Sequence, residues 1–196
     1  MQNEHRTFRS LWVAAKRLLI DAEADSPPNT WRLLGAIVCA GAALEGFLND
    51  LGSRIAPVEF GDERTFFSGP VYRGTFGKLK FLAERVDLTL DWGRRPFQSL
   101  RSLDRLRNAL LHPRTVYGAP DWNEGVPELP WPPAILDIEE AGVVRRMMED
   151  LNSFGEEMLG AAKRKFEYEL RDYGTRSFEG ALAGSSGVIP LDGATG

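Results

Sequence analysis

The 196-residue chain has one cysteine, Cys39, and two histidines, His5 and His112. A single cysteine excludes an internal disulfide, and so few Cys and His side chains argue against a zinc cluster. That usage fits a reducing cytoplasm, which is the expected location. No Gly-rich phosphate loop ending in Lys-Ser/Thr occurs, no GxGxxG, no Gly-x-Ser-x-Gly elbow and no His-Glu-x-x-His helix. Neither a metal nor an organic cofactor is therefore expected. The N-terminus, MQNEHRTFRSLW, lacks a signal-peptide core. The most apolar run extends only from Leu33 to Leu44 before Glu45 interrupts it, well under the roughly 18–20 residues that cross a bilayer. A membrane is not among the expected partners. Strand-like alternation and repeats of 20–50 residues are also missing.

What is present reads as helix. Apolar residues make up 43% of the chain and charged residues 27%, enough for one ordinary folded domain. Phe8, Leu11, Trp12, Ala15, Leu18, Leu19 and Ala22 keep the three–four spacing of an amphipathic helix, which Pro27 and Pro28 end. Asn29 or Thr30 can cap a second helix reaching about Ile55. That helix carries Gly35, Gly41 and Gly46, which lower helix propensity and so point to close helix–helix contact. Residues 56–74 read as irregular. Thr75 can cap a third helix holding Leu79, Leu82 and Val86, and a fourth is expected from Gly93 to about Leu111. Six of the twelve prolines fall in 113–138, which reads as a long loop. Asp137 and Glu140 resemble a capping box opening the last helix. From Gly174 on, six glycines in 23 residues read as a flexible tail. The expected fold is all-α, an up-and-down bundle of four to five helices with a Pro-rich loop before the last. It would occupy residues 1–172, with 173–196 as the tail.

Charge singles out one segment. The chain carries a net −4, yet residues 90–115 hold Arg94, Arg95, Arg101, Arg105, Arg107 and Arg114 against Asp91 and Asp104. A basic stretch on an acidic chain is a candidate anion site. On a helix, Leu100, Leu103, Leu106, Leu110 and Leu111 share one face, and Arg107 projects into the middle of it. A guanidinium turned inward needs a buried carboxylate, a groove or a second chain. Arg101, Arg105 and Asn108 point toward the polar side. His112 would stand about 140° around an ideal helix from Arg107. Pro113 disfavours helical geometry at His112, which frees it from that angle.

The run Arg107-Asn108-Ala109-Leu110-Leu111-His112, at the end of LRSLDRLRNALLHP, resembles the motif of HEPN domains: an arginine, a polar residue, a short spacer, then histidine. The stretches AALEGFLNDLG and GTFGKLKFLAERV resemble HEPN bundle helices as well. The resemblance implies a metal-independent endoribonuclease of a toxin–antitoxin or antiphage system, with an antitoxin or sensor protein as a possible partner. It also implies a homodimer in which two copies of the motif form one composite site. Arg107 and His112 would surround the scissile phosphate of an RNA substrate and Asn108 would help orient it. Arg101, Arg105 and Arg114 would contact the RNA backbone, with Glu45 and Asp104 orienting Arg107 from behind. In the HEPN partners of nucleotidyltransferase antitoxins a tyrosine follows the histidine by two residues. Here Arg114 stands there, so regulation through that tyrosine is not expected.

Each residue also has a plainer reading. Arg107 can pair structurally with Asp104 or Glu45, His112 can end a helix, and Trp122 and Trp131 can anchor the loop rather than stack bases. Cys39 reads as a small core residue. The alternative function is a non-catalytic HEPN-like module that binds a nucleotide, RNA or a protein.

Overall fold

The computed structural model describes residues 7–111 and 141–171. All regular structure among them is helical. Five long helices, α1 (Thr7–Glu23), α2 (Thr30–Ile55), α5 (Gly74–Arg85), α6 (Phe97–Leu111) and α7 (Ala141–Lys165), are joined by two short ones, α3 (Pro57–Gly61) and α4 (Glu63–Phe66). The all-α class expected from periodicity is what the chain adopts. The loop 113–138, the Asp137/Glu140 box and the tail lie outside the described residues.

The central element is α2, which packs against α1, α3, α5, α6 and α7. Asn29 caps it, its side chain accepting the Arg32 amide hydrogen at 3.1 Å, one of the donors a helix start leaves unsatisfied. Leu33, Ile37, Ala40, Leu44, Phe47, Leu48 and Leu51 are buried along it, against Trp12 and Leu19 of α1 and Phe154 and Leu159 of α7. The small residues do what their propensity cost implied. A Cβ added at Gly46 would lie 2.6 Å from Cβ of Phe8, and one at Gly35 would lie 3.2 Å from Cδ1 of Leu18. The glycines thus let α1 lie close on α2. The helix continues through Glu45, so its apolar stretch is longer than the run ending at Leu44 suggests. With an 18-residue window of mean hydropathy 1.5, α2 passes a length-and-composition test for a membrane span. Its apolar side chains here form the bundle core.

Three local expectations need correction. Residues 57–66 are not irregular: Pro57 occupies the first turn of α3, where its fixed φ and missing N–H are favourable, and Glu63 opens α4. Thr75 does not cap α5, because the helix starts one residue earlier at Gly74, whose φ of +66° suits glycine. The fourth helix begins at Phe97 rather than Gly93. The preceding turn is held by the Asp91 side chain, which accepts from the Gly93 amide at 3.1 Å and from Nε of Arg94 at 2.6 Å. Cys39 sits at the edge of the core, half-buried, and burial pushes its thiol pKa up.

Candidate functional site

The five described arginines of the basic segment fall into three groups. Arg94 pairs with Asp91. Arg95 grips the buried Asp150 of α7 from Nε and Nη2, each at 2.7 Å, and Ser99 donates to the same carboxylate. That pair fastens the start of α6 to α7. Arg107 is turned inward, as the helical spacing requires. Arg101 and Arg105 are exposed and meet no carboxylate among the described residues. Arg114 lies outside the described residues.

The partner of Arg107 is Glu45, 62 positions earlier. Nη2 of Arg107 donates to Oε2 of Glu45 at 2.7 Å, with the two side chains 19% and 30% exposed. At the other edge of the guanidinium, Nη1 lies 3.4 Å from the Thr75 hydroxyl. The Nε is buried with no acceptor among the described residues. Gly41 makes room for the side chain: a Cβ there would stand 2.9 Å from Cδ of Arg107.

Glu45 holds a second cation. Lys78, 3% exposed, directs Nζ to Oε1 of Glu45 at 3.4 Å and to Glu63 at closer range. A buried ammonium requires such pairing, and here two carboxylates supply it. The site is therefore a chain of alternating charge, Glu63–Lys78–Glu45–Arg107. Asp104 adjoins it with a half-buried carboxyl. Burial raises its pKa above the usual carboxylate value; the Arg107 charge opposes that rise, Glu45 adds to it and a hydrogen bond from Asn108 opposes it. Nδ2 of Asn108 donates to Oδ2 of Asp104 at 2.9 Å, so this exposed amide is engaged along its own helix.

Thus Arg107, Glu45, Asp104 and Asn108 are brought together. His112 and the Pro-rich segment lie outside the described residues. Leu111, expected on the buried face, is 47% exposed, while Leu100, Leu103 and Leu106 are buried. The inward face of α6 therefore runs through Leu110, which is partly buried against the core, and leaves Leu111 outside it.

Sequence reasoning missed Lys78 and the role of Thr75. Their signal was available: Thr75, Lys78, Leu79 and Leu82 keep the same three–four spacing that turns Arg107 inward. Trp92 and Phe76 were also missed. With Gln98, Arg101, Ser102, Asp104 and Arg105 they line an open cleft of about 510 Å³ beside the Arg107 cluster. Among the described residues no group of three or more His, Cys, Asp or Glu side chains could hold a metal ion. Neither protein-family models, nor curated proteins, nor solved structures match the chain.

Proposed function

We propose that this chain is a metal-independent endoribonuclease of the HEPN type, acting as a homodimer in a toxin–antitoxin or antiphage system. One observation carries the reading. Arg107 is held inward on the last turns of α6 by a carboxylate from α2, and His112 directly follows that helix in the sequence. The residue types suit phosphodiester cleavage in RNA. The ribose 2′-oxygen attacks phosphorus, the new O–P bond forms, and the bond to the 5′-oxygen breaks. Histidine, with an ordinary pKa near neutrality, takes the 2′-hydroxyl proton, and the histidine of a second copy returns one to the leaving oxygen. Arginine stays charged and stabilises the pentavalent phosphate through paired hydrogen bonds. The products are a 2′,3′-cyclic phosphate and a 5′-hydroxyl.

The second reading, a non-catalytic module, is favoured by the same ion pair, because Glu45 already satisfies Arg107 within the chain. Incubating varied RNAs with the chain in EDTA separates the two. The nuclease cuts RNA, and Arg107→Ala or His112→Ala lowers the rate by about a hundredfold or more. Intact RNA with the wild type, or equal cutting by either variant, overturns the proposal.

A further inference from the structure

The cleft beside Arg107 has the composition of a base-binding pocket. One wall is aromatic: the Phe76 and Trp92 rings lie 5.3 Å apart, tilted by 34°, and Phe97 braces Trp92 edge-on at 6.2 Å. The facing wall is a polar stripe of α6. Gln98, Arg101, Ser102 and Arg105 recur at three- and four-residue intervals and so share one face. The guanidinium of Arg101 lies over the Trp92 ring, 5.7 Å from its centroid. A planar cation covers that ring face, so a flat group stacking there would take the place of Arg101. The volume, about 510 Å³, falls in the range that holds small ligands. Asp104 also lines the cleft, and it feels the charges of Arg107 and Glu45.

We propose that this cleft binds a guanine nucleotide of single-stranded RNA, stacking the base on Trp92 and Phe76, with Asp104 reading its edge and Arg101 and Arg105 meeting its phosphates. An ionised carboxylate only accepts hydrogen bonds, through two oxygens with spare lone pairs. Asn108 takes one of those positions. Guanine alone among the four bases offers two adjacent donors on one edge, the ring N1–H and the exocyclic amine. Adenine and cytosine set an acceptor nitrogen beside their amine, and uracil flanks its single N–H with two carbonyls. Stacking tolerates any base, so discrimination falls to Asp104. As the base takes the Trp92 face, Arg101 moves from the ring to the backbone. This inference deepens the nuclease reading, since it names the base held next to the scissile phosphate.

Calorimetry with 5′-mononucleotides, which hold no internucleotide bond to cut, tests it on the full chain. The expected result is that guanosine monophosphate binds about tenfold tighter than the adenosine, cytidine and uridine monophosphates. Asp104→Asn then abolishes the preference while retaining weak binding. Trp92→Ala loses all four ligands, and Trp92→Phe, which keeps a stacking face, retains them. Circular dichroism verifies that each variant is folded. No binding, equal binding, a preference for another base, or a preference unchanged in Asp104→Asn overturns the pocket. The two readings fail separately. Guanine-selective binding beside uncut RNA removes the nuclease and leaves the pocket, whereas RNA cleavage without mononucleotide selectivity does the reverse.

Discussion

Asp104 sits in surroundings that disfavour its charge. Burial is the main cause, Glu45 adds to it, and Arg107 and Asn108 oppose it. A carboxyl with a raised pKa in the fold keeps its proton over a pH range in which the unfolded chain has lost it. Stability from this group therefore falls as pH rises from 3.8, the unfolded value, through the higher folded value, and stays lower at neutrality. Asp104→Asn removes the charge and keeps an acceptor for Asn108. The variant is expected to melt above the wild type at pH 7, with the gap narrowing as pH is lowered through the Asp104 titration. Thermal melts between pH 3.5 and 7 check this, and a variant less stable at neutrality would contradict it. A carboxyl whose charge its surroundings disfavour is a common feature of binding sites, and Asp104 lines the cleft.

At the scale of elements, α2 is both core and support for the site. Its face toward α1 places Gly35 and Gly46 under Leu18 and Phe8, and Gly41 and Glu45, one turn apart, meet Arg107 of α6. Gly41→Ala isolates the second function. Alanine gains roughly 1 kcal/mol of helix propensity, but its methyl group would meet the stem of the ion-paired Arg107, 2.9 Å from Cδ and 3.6 Å from Cβ. The new methyl group would push Cδ of Arg107 away from its present track. Under the proposed function RNA cleavage should fall at least tenfold while circular dichroism still shows a folded helical chain, as parallel rate and spectral measurements would show. The long helices were legible from their apolar spacing, and the inward turn of Arg107 from the same periods. Helices α3 and α4 were not, because four or five residues do not complete a pattern. The start of α5 was hidden because a positive φ at Gly74 leaves no apolar trace. Glu45 was visible as a candidate, yet only the packing of α2 on α6 brings it to Arg107. Lys78 was overlooked although its spacing is the same kind of signal.

For the whole molecule, charge is sorted rather than spread. Arg94, Arg95 and Arg107 are tied to carboxylates of the same chain, whereas Arg101 and Arg105 face outward on α6. If the cleft takes a polyanion, the two open arginines along it would meet its charge, and that binding should weaken with added salt. If two copies complete the active centre, specific activity should fall as the chain is diluted below its association constant. Sedimentation velocity should show dimers in the active range. A monomer that cuts RNA with constant specific activity on dilution would remove the composite centre.

Glu45 touches two cations at once, and under the proposed function this would shape what an incoming phosphate meets. Its carboxylate already occupies the kind of position on Arg107 that a phosphate oxygen would take under the proposed function. The guanidinium lost much of its water when the chain folded, so a phosphate bound there would not have to strip it again. Displaced from Arg107, Glu45 still has the Lys78 ammonium on its other oxygen. Ligand capture then becomes an exchange of one anion for another, with no charge stranded at either end.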